Sequence, residues 1–454
     1  MSARPESGER SRTRPGAGVT GDEVAFARDR FGWSLPPDEG MLDAAAVRRI
    51  LAADDYPVCT SYRTRVIYTD FRKYGQSFTQ ATLILEPDRP RLHRGKKIVV
   101  VAGEPGSEYG PDFLQTPGGH EGPGPWLARR GVTFVGLTRV GRWNFLDPQG
   151  MGSWAGVPLE QRMPIFNRQQ RAHWTAADYR VEHHPLRTLG PSDSRTCRVP
   201  VEGSPLHAQM LAAAPPTFVE GYRRGVEAAI PPSKRAQCHV LFWGLSTGGA
   251  FLYPLARYWL PDGYLGWATS STGLASALGR AQAGDFSRLY TASALRVRER
   301  GADDFGFYTQ GLSDATRDAW WQASLSSPRF KSGEDAAMLF NPGALAEIAF
   351  RLWRADFLPE EDRRAGPVRL LLDMLEPSLP AQELAQVPIL DMNGTRDPTI
   401  PPAAVDRHRE IMAFYARRYR VLRIQDLEHY LFDPAHIKVV GTVWLRVIEH
   451  GFFG

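Results

Sequence analysis

Apolar and polar residues follow two distinct patterns along this chain. "KKIVVVAGEPG" (Lys96 to Gly106) is a continuous Ile/Val run that stops at a Gly/Pro loop. Such a run predicts a strand covered on both faces. "GVTFVGLTRVG" (Gly131 to Gly141), "QCHVLFWGLSTGG" (Gln237 to Gly249), "GYLGWATSS" (Gly263 to Ser271), "VPILDMNGTRD" (Val387 to Asp397) and "YRVLRIQDLEH" (Tyr419 to His429) repeat that character. Thr64 to Pro87 differs: "VIYTDF" and "ATLILE" alternate apolar with polar positions on either side of Gly75. That alternation predicts an antiparallel pair.

Helical periodicity fills several of the intervals. Met41 to Ala53, Phe218 to Ile230, "AFLYPLARYWL" after Gly249, Pro402 to Arg418 and His436 to Gly451 all read as helices. Pro402 stands where a proline suits a helix start. Buried strands alternating with helices predict an α/β domain with a mostly parallel central sheet flanked by helices. Two stretches break the alternation. Residues 146–217 are rich in Pro, Gly, Arg and Trp, and are expected to be a loop-rich insertion. Residues 273–386 are helical in pieces and are expected to form a large helical lid. The core is then 23–145, 218–272 and 387–454. Residues 1–22 hold few large apolar side chains and read as a disordered tail.

Composition narrows the class. The chain has 454 residues, 43% hydrophobic and 23% charged, as in ordinary globular proteins. The net charge of +5 is spread along the chain among 50 acids, so no basic footprint for nucleic acid is expected. No apolar run reaches the length of a membrane span. Cys59, Cys197 and Cys238 are too few and too scattered for a disulfide framework, which points to a reducing compartment and hence the cytoplasm. No phosphate-binding loop or metal-binding motif is present, so neither cofactor nor metal is expected.

The candidate chemistry lies at "GLSTG", Gly244 to Gly248. It fits G-x-S-x-G, in which small residues relieve crowding where a strand turns sharply into a helix and exposes a serine. The flanking patterns supply that strand and that helix. A tight glycine turn with a bystander serine is the plain alternative.

On these residues the chain resembles the α/β-hydrolase superfamily. The resemblance implies a nucleophile, Ser246, followed in chain order by an acid and a histidine. "NGTRDPTIPP" is similar to the family's acid segment and implies Asp397, whereas Asp391 lies inside the strand pattern as a structural acid. His429 follows the last strand directly and is implied as the base. His436 fits the first turn of the final helix, and Glu428 replaces the family's usual glycine. The oxyanion hole is implied at the backbone N–H of Thr247. Its second donor is implied at Glu104, within an Ala102-Gly103-Glu104-Pro105-Gly106 loop that keeps the Gly-x-Pro-Gly frame of prolyl iminopeptidases and epoxide hydrolases.

The chain holds 12 tryptophans. Trp126 and Trp143 fall near loops at the expected catalytic end, and Trp320 and Trp321 fall in the expected lid. They suggest a pocket for a hydrophobic or aromatic small-molecule substrate, or simply the lid's own core. Arg139, just past a strand end, suits a substrate carboxylate or an ion pair. The expected function is hydrolysis of a carboxylic ester or lactone. The alternatives are an amidase or peptidase of the prolyl iminopeptidase type, and a hydrolase-fold binding protein without catalysis.

Overall fold

The computed structural model describes residues 39–103, 113–114, 120–140, 166–168, 177–183, 196–245, 247–267, 342–378, 382–397, 405, 412, 416, 418–428 and 434–450. Its frame is a ten-stranded sheet. The strands are β1 (Glu39–Leu42), β2 (Tyr62–Lys73), β3 (Gln76–Pro87), β4 (Leu92–His93), β5 (Lys96–Gly103), β6 (Thr133–Leu137), β9 (Cys238–Leu245), β10 (Gly263–Trp267), β11 (Ile389–Gly394) and β12 (Tyr419–Ile424). Their order across the sheet is β1-β12-β11-β10-β9-β5-β6-β3-β2, with β4 paired to β5. All pairs from β1 across to β6 are parallel; β3 joins β6, and β2 joins β3, antiparallel. The expected parallel core and its antiparallel pair are both present.

Every residue of β9 is buried, as is the whole of β5 after its first two lysines. Helices on both faces account for this. Among the described residues the helices longer than one turn are α1 (Ala44–Ala52), α2 (Pro123–Ala128), α3 (Pro205–Ala212), α4 (Pro215–Ala229), α5 (Thr247–Leu255), α6 (Pro342–Arg354), α7 (Glu360–Leu375) and α8 (Pro434–Glu449). Successive strand residues point to opposite faces. The Phe242 ring therefore stacks on Trp259, just beyond α5, at 5.6 Å between centroids, while Trp243 meets Trp444 of α8 at 4.6 Å. Helix α4 packs on β2, β3, β6 and α5 on the first face; α1, α2 and α8 pack together on the second.

The N-terminal region departs from expectation. The stretch 41–53 is not one helix, because Asp43 caps α1 by accepting from the Ala46 N–H at 2.7 Å. The residues before it, β1, pair in parallel with β12. In the 146–217 stretch, β7 (Tyr179–His183) and β8 (Thr196–Pro200) form a separate antiparallel hairpin, and α3 and the start of α4 follow. Within 273–386 the structure describes α6 and α7, which pack on each other and on α3 and α4 respectively. Phe357, between them, lies against Gly75 in the β2–β3 turn, where a Cβ would stand 2.3 Å from the Phe357 carbonyl. Residues 268–341 and most of 398–417 lie outside the described residues. Among the described residues, no helix is long and apolar enough to cross a membrane.

At the N-terminal end of β9 the His239 ring lies 4.7 Å from that of His93. Burial pushes the His239 imidazole down to about 4, against the pull of Asp262 and with the help of His93, Lys96 and Arg235. An unfolded histidine titrates near 6.5. The folded state therefore binds this proton more weakly than the unfolded chain, and stability falls as pH drops from about 6.5 through about 4. Thermal melts across that window should show the loss. A His239→Gln variant should flatten the slope by up to ~3 kcal/mol in total.

Candidate active site

The site is built from backbone that approaches too closely for side chains. Strand β9 ends at Leu245 and α5 begins at Thr247, so a single residue, Ser246, separates them. Ser246 itself lies outside the described residues, and so does the Thr247 side chain. The flanking glycines show how sharp the turn is. A Cβ on Gly244 would stand 2.6 Å from the Gly249 Cα and 2.0 Å from the Tyr264 hydroxyl oxygen. A Cβ on Gly103, at the end of β5, would stand 2.5 Å from the Gly248 carbonyl oxygen. The first turn of α5 is thus pressed against the end of β5, directly before Glu104. The N–H groups of a helix's first turn have no partner within the helix, and the Thr247 N–H is the first of them. Glu104 and the loop after it lie outside the described residues.

The acid loop is equally constrained. Asp397 is fully buried three residues past the end of β11, and its N–H donates to the Gly394 carbonyl at 3.2 Å. Its loop is sewn to the segment that follows β12. The Thr395 N–H donates to the Ile424 carbonyl at 3.0 Å, and the Arg396 N–H to the Leu427 carbonyl at 3.0 Å. The Asp426 N–H donates to the Thr395 hydroxyl at 2.9 Å, and Arg396 Nε pairs with Asp426 Oδ1 at 2.9 Å. A Cβ on Gly394 would stand 2.1 Å from the Leu427 carbonyl oxygen. The sewn segment runs to Glu428, one residue before His429, which lies outside the described residues.

Strands β5, β9, β11 and β12 are parallel, so Gly103, the elbow, Asp397 and Glu428 all stand at one edge of the sheet. The chain runs from β5 to β6 on one side and from β9 through β12 on the other. The elbow therefore sits at the point where the winding reverses, the place where open α/β sheets bind ligands. With a one-residue elbow at that point, and an acid loop sewn to the segment after the last strand, the architecture is decided.

The chain has an α/β-hydrolase fold.

No protein-family model matches the chain, and no curated protein matches it in sequence. Among solved structures, the chain is similar to a thermostable carboxyl esterase from Bacillus coagulans at 12% identity and a TM-score of 0.38, covering 87% of this chain and 100% of that one. It is similar to an acetyl xylan esterase from Paenibacillus sp. R4 at 12% identity and a TM-score of 0.34, covering 89% and 92%. It is similar to a Pyrococcus horikoshii acylaminoacyl peptidase at 11% identity and a TM-score of 0.36, covering 86% of this chain and 42% of that one. The chain thus spans less than half the length of the peptidase. These likenesses are distant, and the sheet order and elbow carry the assignment.

Within this α/β-hydrolase fold the other candidates fall in different places. Asp391 is a buried acid inside β11, as its strand position implied, and accepts from Tyr419 Oη at 2.7 Å. Trp126 is in a helix, not in a loop. It is buried in α2, its ring against Gly441 of α8 and beneath the Arg130 guanidinium. Arg139 is fully buried. Trp143, Trp320 and Trp321 lie outside the described residues. No group of three or more metal-ligating side chains occurs among the described residues. Sequence reasoning missed Tyr264 and Gly394. Tyr264 is an ordinary strand residue by pattern and Gly394 a turn glycine, and the contacts that make them matter come from neighbours distant in sequence.

The Gly394 contact is testable. A Gly394→Ala methyl cannot fit against the Leu427 backbone, so the acid loop and the segment before His429 must separate. The variant should lose about 2 kcal/mol or more of stability in denaturant titrations.

Proposed function

We propose that this protein is a serine hydrolase that cleaves a carboxylic ester or lactone through an acyl-enzyme intermediate. One observation carries the reading: the Asp397 loop is hydrogen-bonded to the segment ending at Glu428, at the sheet edge where the elbow turns. That arrangement supports Asp397 as the acid, because its loop is tied to the segment that leads into His429.

In this reading Ser246 Oγ attacks the carbonyl carbon, and His429 takes its proton. Asp397 holds the imidazole in the required tautomer and stabilises its cationic form. The Thr247 and Glu104 N–H groups receive the oxyanion, which supplies the largest electrostatic share of the catalysis. His429 then returns the proton to the departing alkoxide, and water releases the acyl group by the same steps. Glu104 contributes only its amide in this reading. The substrate is a small molecule with a hydrophobic or aromatic group, a choice supported by the tryptophans at 143, 320 and 321. The free thiols of Cys59 and Cys238 suit a reducing cytoplasm. Amide hydrolysis would use the same residues, and the Gly-x-Pro-Gly frame at 103–106 is its only support.

A fluorophosphonate should label the wild-type protein at Ser246, and Ser246→Ala should abolish both labelling and turnover of p-nitrophenyl esters. Asp397→Asn should lower kcat by about 10³ to 10⁴ with a smaller change in KM. Labelling that survives in folded Ser246→Ala protein would sink the proposal. Amino-acid anilides run beside the esters decide between amide and ester hydrolysis.

A further inference from the structure

A connected set of buried phenols lies under the elbow. Tyr264 on β10 is fully buried, and its hydroxyl oxygen occupies the angle between β9 and α5. It donates to the Gly249 carbonyl in the first turn of α5 at 3.2 Å. It also fills the space where a Cβ on Gly244 would have to stand, 2.0 Å away. The ring is fixed from the side by Tyr253 of α5, stacked at 4.2 Å between centroids and 11° between planes. The Tyr253 hydroxyl in turn reaches Asp391 at 3.3 Å, where Tyr419 of β12 also donates. The set therefore joins α5 to three neighbouring strands, β10, β11 and β12.

We propose that Tyr264 is a positioning residue for the nucleophile, its hydroxyl acting as a wedge that fixes the first turn of α5 and hence the place of Ser246 Oγ and the Thr247 N–H. The inference rests on the serine-hydrolase reading for its catalytic consequence, though not for its structural one. Two neighbours specify the wedge. Gly244 is bare, which admits the hydroxyl. The Gly249 carbonyl belongs to the turn that begins one residue after the nucleophile, so a shift there moves the oxyanion donor and the attacking oxygen together. Misplacements of this kind act on the transition state more than on substrate binding. Burial and the nearby Asp391 carboxylate raise the Tyr264 pKa well above its ordinary value, so the hydroxyl stays a donor through the working pH range.

The test compares Tyr264→Phe with Tyr56→Phe. Tyr56 donates to Glu449 at 2.7 Å and is remote from the elbow, so its variant loses one hydrogen bond of the fold without touching the site. Two readouts are taken on the full chain. In Tyr264→Phe, kcat for a p-nitrophenyl ester should fall about tenfold with KM held within about twofold, and fluorophosphonate labelling should slow in parallel. Amide hydrogen exchange in the first turn of α5 should accelerate by about fivefold or more. Tyr56→Phe should leave kcat and that exchange within about twofold of wild type. A Tyr264→Phe protein with unchanged kcat and unchanged exchange overturns the inference, as does an equal loss of kcat in both variants. Wild-type protein that is never labelled defeats the hydrolase reading instead, and the exchange rates alone then decide whether Tyr264 holds the turn.

Discussion

The structure depends on backbone packed against backbone at the C-terminal edge of the parallel strands. Between Gly103 and Gly248, and between Gly244 and Gly249, there is no room for one methyl group. A helix that starts one residue after a strand must double back over that strand, and it does so only where the chain carries no Cβ. That contact sets where α5 lies. The position of α5 in turn fixes the cover over β9, the space left for Tyr264 and the closeness of the β5 loop to the helix N-terminus.

A second contact of the same kind operates on the opposite face. A Cβ on Gly441 of α8 would stand 2.3 Å from the Trp126 ring, so α8 lies directly on α2. Trp444, one turn further on, reaches Trp243 of β9. Strand β9 is therefore gripped from both sides by aromatic rings, Trp259 on one face and Trp444 on the other. A strand held this way has little freedom to shift along its own axis. Its C-terminal end is a fixed point, which is what preorganisation of the proposed nucleophile requires.

Much of this could be read from the chain alone, and the division has physical causes. The continuous apolar runs of β5, β6, β9, β10, β11 and β12 announce strands covered on both faces, and the structure has them. Short-range chemistry was equally legible: Asp391 inside its strand is buried, and His436 lies in the first turn of α8. What stayed hidden depends on partners far away in sequence. Met41 sits in a strand because β12 pairs with it, a fact its own helical-looking neighbourhood contradicts. Trp126 looked like a loop aromatic until Gly441 and Arg130 claimed its ring. Of the proposed triad, Asp397 is placed, and its loop was legible as a segment. The hydrogen bonds from that loop to Ile424 and Leu427 follow from strand order, which no local pattern encodes.

The parallel pairing of β1 with β12 also governs the order in which the chain acquires its structure. Glu39 finds its partner at Val421, and Leu42 at Ile424. A ribosome adding roughly 5 to 20 residues per second needs on the order of 20 to 80 seconds to reach that partner. Through that interval β1 has no edge to join. The segment that carries His429 also has no acid loop to be sewn to until β12 has docked beside β11. The end of β12, which leads into the proposed base, is therefore among the last parts of the sheet to form. A chain truncated shortly before residue 419 would contain the serine elbow, complete in sequence, inside a sheet that is still open along one side.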